Sequence, residues 1–268
     1  FYYLKKKKYL IPIILSFIFC IVISYTFIEK YDKYTSDGNN HQIIKGDVYP
    51  IWKSGQKFKE DISLGKNFLE SGDIMYRSYL PPRLIGYLSI FFNFKLLSEE
   101  NQKVELNKEK IIYLILQSLL FYASLIYFLK KANFITDTKN LYFALIFVCF
   151  CPSIFLFNAS FHTESIFFSI QFFLLGYLIE PKKNFFYNLI LGLTLGLLFM
   201  QKTSGLFYLV IVTIYLIFFF KRNFIKPIAI YSAVYGIILI LIGTNNYKRA
   251  ETFYILPLQG GESIYHYL

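Results

Sequence analysis

Asp47, His162, Glu164 and Lys202 are the side chains of this 268-residue chain best suited to bond-making chemistry, and long apolar runs separate them. They stand in polar clusters: Gly46-Asp47-Val48-Tyr49-Pro50, His162-Thr163-Glu164, Gln201-Lys202-Thr203-Ser204-Gly205, and a tail from Asn245 to Leu268. A carboxylate held against apolar walls makes a general base for an attacking hydroxyl. Asp47, just ahead of Tyr49, Pro50 and Trp52, fits that role; the alternative is a solvated loop acid like Asp32 or Asp37. Glu164, with His162 two residues before it, falls where the chain turns between two apolar runs. Acids at a bilayer edge are rare and normally line a cavity or bind a partner. The same stretch also suits helix capping, with Ser160 or Thr163 as the cap and Glu164 on the positive end of the dipole. Lys202 beside Thr203 and Ser204 offers one charge and two hydroxyl donors to a phosphate. Its other reading is a snorkelling lysine. In the tail, Lys248 and Arg249 suit an anionic headgroup or diphosphate, or an ordinary interfacial belt.

The elements that must position these groups are apolar helices. The chain is 56% hydrophobic with a net charge of +11, whereas a soluble domain has roughly 45–50% apolar residues in short periodic sets. Here they come in blocks, and roughly 20 apolar residues cross a bilayer. Candidate spans are Leu10–Ile28, Ile111–Leu129, Leu141–Phe157, Ser165–Ile179, Phe185–Met200, Leu206–Phe220 and Pro227–Gly243. Lys5 to Lys8 ahead of the first block, with no small-residue cleavage site, reads as an uncleaved signal anchor. Cys20, Cys149 and Cys151 lie inside the apolar blocks, without metal-ligand spacing or a paired framework. The lysines flank spans, which favours membrane topology over a nucleic-acid partner. No Gly-rich phosphate loop, zinc signature or nucleophile elbow is present.

Lysine and arginine set the sidedness. With the N-terminus cytoplasmic, Lys5–Lys8, Lys130, Lys131, Lys139, Lys182, Lys183, Lys221, Arg222 and Lys226 all fall inside. Of the short outer connections, only the one at Lys202 is basic, and all the polar clusters then share the outer face. Leu84–Leu97 is apolar but short, so it reads as an interfacial helix rather than a span. Trp52, Phe58, Ile62, Phe68 and Leu69 recur at helical spacing among charges, giving an amphipathic helix that ends at Ser71-Gly72-Asp73. The expected fold is therefore an all-α polytopic membrane helix bundle of about seven spans, with amphipathic interfacial helices in a long first outer loop. Its parts are a signal-anchor span (1–28), the extracytoplasmic loop (29–109), the transmembrane bundle (110–244) and an extracytoplasmic tail (245–268). The chain starts without Met and stops in a polar stretch, which reads as a fragment of a longer membrane protein.

In order and sidedness these motifs resemble the GT-C superfamily of integral-membrane glycosyltransferases, near the bacterial proteins similar to dolichyl-phosphate-mannose–protein mannosyltransferases. The resemblance rests on one span followed by an outer loop with Asp47, then Tyr79-Leu80-Pro81-Pro82 and an interfacial helix. It continues through Pro152, His162-Thr163-Glu164, Gly192…Gly196…Lys202-Thr203-Ser204-Gly205 and Phe253-Tyr254-Ile255-Leu256-Pro257. Val48 follows Asp47 where many members pair Asp with Glu, and Arg83 follows the prolines where relatives often have glycine. The resemblance implies inverting transfer of a sugar from a polyprenyl-phosphate donor to a glycan, lipid or protein hydroxyl, outside a bacterial inner membrane. It implies Asp47 as base, with Glu164 and His162 as further catalytic candidates. Lys202, Arg249 and Lys248 would hold the donor phosphate. No metal constellation stands out, and a divalent cation is left open.

Two other classes share the topology. A transporter or flippase of lipid-linked sugars places polar residues near the midplane, often at Gly or Pro breaks. Here Gln117, Gln171 and Asn188 are the main mid-span polar residues, and no charged side chain joins them. A non-catalytic or polymerase-type subunit of glycan assembly is the other.

Overall fold

The computed structural model describes residues 11–22, 48–67, 71, 79–92, 108–132, 138–151, 164–251 and 253–255. For 48–50, 52–53, 108–110, 138–142 and 249–250 it describes the backbone alone. The described residues are helical, without strands. The helices are α1 (Ile11–Val22), α2 (Val48–Ser63), α3 (Leu80–Phe91), α4 (Lys108–Ala132), α5 (Thr138–Phe150), α6 (Glu164–Leu178), α7 (Phe185–Gln201), α8 (Leu206–Phe220) and α9 (Ile225–Ala250).

Among the described residues, three stretches are long and apolar enough to cross a membrane: Ile111–Ala132, Thr203–Asn223 and Ile225–Lys248, of 22, 21 and 24 residues. Ile11–Val22, Glu164–Leu178 and Phe185–Gln201 are shorter apolar helices. On α8 the side chains of Phe207, Val210, Ile211, Ile214 and Phe218 are all exposed. An apolar surface of that extent suits lipid rather than water, so length and surface together mark a membrane protein. At 12 residues, α3 is about 18 Å long at 1.5 Å per residue, too short to span.

The chain forms two compact units, Phe1–Pro50 with Phe94–Ile179, and Ile51–Asn93 with Glu180–Leu268. In the first, Ile13, Phe121, Tyr122, Leu125, Leu129, Leu145 and Cys149 form a buried cluster from α1, α4 and α5. A polar relay runs through it. The Ser16 hydroxyl donates to the Cys149 carbonyl at 2.7 Å, so the Tyr122 hydroxyl, 2.6 Å away, donates to Ser16. Such bonds hold helices together where burial from water supplies no force between them. On α6, Phe172 and Phe173 pack against Phe121 and Tyr127 of α4.

In the second unit α7 and α9 lie parallel, because their contacts climb together: Gly192 meets Tyr231 and Val234, and Gly196 meets Ile238. A Cβ on Gly192 would stand 2.6 Å from the Tyr231 carbonyl oxygen. The Gly192-xxx-Gly196 spacing is thus a close-approach seam, as small residues four apart make between membrane helices. The helix α8 carries the chain back from the end of α7 to the start of α9, tied to α9 when the Tyr231 hydroxyl donates to Thr213 Oγ1 at 2.6 Å; the Thr213 hydroxyl itself donates to the Leu209 carbonyl. Asn184 starts α7 by accepting from the Tyr187 amide at 2.7 Å, which satisfies one of the unbonded first-turn donors.

Two boundaries differ from the sequence reading. The amphipathic helix α2 stops at Ser63 rather than at Ser71-Gly72-Asp73, because Gly65 takes φ +82° and the Gly65 and Lys66 amides close on Ile62 and Asp61. At the other end of the unit, α9 continues past Gly243 to Ala250 before Glu251 turns left-handed at φ 56°. Of the expected spans, Leu10 and 23–28 of the first and 152–157 of the third lie outside the described residues, as do His162, the interfacial positions Phe68 and Leu69, and 93–97 of the expected interfacial helix.

The seam gives a controlled test. Gly192→Leu forces the helices apart and should lower stability by about 1–3 kcal/mol. Gly236, in α9 with nothing within 4 Å of a built Cβ, should accept alanine with unchanged or raised stability. Thermal unfolding of the detergent-solubilised chain reads both; equal effects would mean that the seam bears no load.

Candidate functional site

The second unit gathers polar side chains where α7 and α9 end together. Gln201, the last residue of α7, and Asn245 of α9 are both 0% exposed, and Asn246 is buried beside them. Burying amides is costly unless they are bonded. Asn246 Nδ2 donates to the Tyr254 carbonyl at 2.7 Å. That bond folds the chain back after α9, so that the Phe253 ring lies directly on Gly243.

Arg83 supplies the bond to Asn245. It is only 4% exposed, one turn into α3, and its Nη2 donates to Asn245 Oδ1 at 3.0 Å. The guanidinium lies over the Tyr79 ring, 3.6 Å from its centroid, and 5.7 Å from that of Phe58 on α2. Amide acceptance and aromatic faces both offset the loss of hydration. The Tyr79 amide donates to the Met200 carbonyl at 2.8 Å, fixing the start of α3 on the end of α7. One cation thus clamps α2 and α3 onto the ends of the apolar helices.

Lys202 follows in an extended conformation, exposed, between α7 and a tight turn over Thr203–Gly205. The turn needs its glycine, because a Cβ on Gly205 would stand 2.6 Å from the Leu198 carbonyl oxygen. So Gln201-Lys202-Thr203-Ser204-Gly205 has a structural role whatever else it does. It reverses the chain in one step and leaves the Lys202 ammonium on the rim.

Of the residues singled out from sequence, Lys202 and Lys248 lie at this one end of the unit, both exposed. Arg249 sits on the last turn of α9, its side chain outside the description. Basic residues in that turn also suit the negative end of the helix dipole. Glu164 belongs to the first unit, where it opens α6 half-buried, in the first turn where a carboxylate suits the dipole. Asp47 and His162 lie outside the described residues. Among the described residues no three His, Cys, Asp or Glu gather as metal ligands do.

Sequence reading noted Arg83 only as a departure from pattern. The signal that could have found it is its register: Pro82, Ile85, Gly86 and Ser89 share the buried side of α3 with it.

The clamp is testable by a double-mutant cycle on unfolding. Arg83→Ala and Asn245→Ala should couple by about 1.5–3 kcal/mol, the range for a hydrogen bond to a charged group. Additive losses would show that each side chain acts through other contacts. No family model, curated protein or solved structure matches this chain.

Proposed function

We propose that the chain is a membrane glycosyltransferase, transferring a sugar from a polyprenyl-phosphate donor to an acceptor hydroxyl on the extracytoplasmic side. The observation that carries the reading is the gathering of Gln201, Lys202, Asn245, Asn246 and Lys248 where α7 and α9 end together. Between the helix ends, 185–200, 206–220 and 227–243 contain no Asp, Glu, Lys or Arg. A transporter concentrates ionisable and polar groups near the midplane. Polar groups gathered at helix ends rather than mid-span suit a reaction at the membrane surface.

In this reading the chain has about seven spans, the N-terminus is cytoplasmic, and the membrane is the bacterial inner membrane. Asp47 takes the proton of the acceptor hydroxyl. The hydroxyl oxygen then attacks the anomeric carbon opposite the phosphate, the carbon–oxygen bond to phosphate breaks, and configuration inverts. Negative charge grows on the departing lipid phosphate, and Lys202, with Lys248 and Arg249, stabilises it as it develops. His162 and Glu164 are the second candidates for the base. The acceptor is a glycan, lipid or protein hydroxyl.

Two measurements test this. A topology reporter fused after Lys182 should register cytoplasmic and one at Thr203 external; the opposite pattern removes the shared outer face. For chemistry, Asp47→Asn keeps size and hydrogen bonding but removes basicity. Sugar release from a polyprenyl-phosphate donor should fall by about 10²–10⁴, with donor binding retained. Lys202→Ala should weaken both donor binding and turnover, since a phosphate contact acts in ground and transition states alike. Full activity in Asp47→Asn with an inactive Glu164→Gln would move the base to the turn at Glu164. Full activity in all three variants would sink the proposal.

A further inference from the structure

At the end of the α7–α9 group opposite Lys202, two short connections meet: the segment leading into α7, and the Lys221–Asn223 turn with Phe224 that joins α8 to α9. Between them lies a cavity of about 440 Å³, lined by Lys183, Arg222, Asn223, Ile225, Lys226 and Pro227. That is within the roughly 300–1,000 Å³ of small-molecule sites. Half of the lining side chains are cations, and none of the three is paired with a carboxylate among the described residues. Lys183 places its ammonium 5.4 Å from the centroid of the Phe220 ring, a contact that orients a cation without neutralising it. The N-terminus of the 26-residue α9 adds the positive end of its dipole. Like charges around one small volume repel, and a bound anion relieves them.

The rest of the lining says which anion. Ile225 and Pro227 contribute apolar surface, and Ile225, Phe218 and Phe219 are exposed beside the basic mouth. A free phosphate would use the cations and leave that border unused. A phospholipid uses both, with its phosphate among Lys183, Arg222 and Lys226 and its acyl chains along α8. We propose that this cavity binds the phosphate of an anionic membrane lipid, retained at the end of the bundle remote from Lys202. The proposal is independent of the reaction above.

The test uses the full chain in nanodiscs of phosphatidylcholine alone, or of four-to-one phosphatidylcholine and phosphatidylglycerol. In the wild-type protein, amine acylation of Lys183 and Lys226 should fall when phosphatidylglycerol is present, while Lys130 reacts equally in both. Equal reactivity at Lys183 and Lys226 overturns the proposal without needing a variant to fold. Retention of phosphatidylglycerol after delipidation, read by native mass spectrometry, should drop on the order of 100-fold at low salt in Lys183→Gln/Arg222→Gln/Lys226→Gln. The charge-matched Lys130→Gln/Lys131→Gln/Lys139→Gln should retain it. An equal loss in both variants would reduce the effect to net charge and overturn the pocket. Displacement of the lipid by millimolar inorganic phosphate would make the site one for free phosphate, and would equally overturn the assignment to lipid.

Discussion

The approach of α7 to α9 at Gly192 and Gly196 sets the plan of the second unit. The backbones are close enough there that any side chain on Gly192 would meet the Tyr231 carbonyl. Because the two helices run parallel and α8 carries the chain back from one to the other, their ends are sorted without further instruction. Gln201, Lys202, Asn245 and Asn246 come to one end; Lys183, Arg222 and Lys226 come to the other. Neither the polar knot nor the basic cavity needs its own framework. Both follow from one seam of small residues and two tight reversals.

Burial of polar groups then locks what the seam aligns. A buried guanidinium loses several kcal/mol of hydration unless its environment replaces it. The Asn245 amide and the Tyr79 and Phe58 rings do so for Arg83. The geometry that satisfies Arg83 also brings α2, α3 and α9 together, which makes the amphipathic loop helices part of the unit rather than an appendage. The Asn246 bond to the Tyr254 carbonyl acts likewise on the segment after α9. In a membrane protein with little hydrophobic force between its helices, such bonds carry specificity as well as stability.

What the sequence disclosed follows from this division. Helix α8 was legible to the residue, Leu206–Phe220, because a purely apolar stretch between Gly205 and Lys221-Arg222 admits one reading. The end of α9 was not legible. Asn245 and Asn246 look like residues leaving a membrane, yet Arg83, far off in sequence, and the Tyr254 carbonyl, eight residues on, bond their buried amides. Arg83 itself was overlooked because a lone cation after two prolines carries no local sign of its acceptor 162 positions away. The end of α2 was misplaced because hydrophobic periodicity outlasted the helix, and the left-handed turn at Gly65 outweighed it. For the candidate site, sequence located Lys202 and Lys248 on one face, while Asp47 and His162 rest on motif order alone.

The two ends of the bundle differ in a way that bears on what each does with phosphate. At the Gln201–Asn245 end the amides are buried, Asn245 and Asn246 bonded to Arg83 and Tyr254, and Lys202 stands exposed on extended backbone. In the proposed reaction, a lysine on a flexible stem would follow a phosphate from binding to departure, and so would serve ground and transition states alike. At the opposite end, Lys183 leans on Phe220 and stands with Arg222 and Lys226 around an open depression where two connections meet. Cations held so bind whatever is already anionic and gain nothing from charge that develops later. If both proposals hold, the exposed lysine serves the reacting phosphate at one end and the basic cluster retains a lipid at the other.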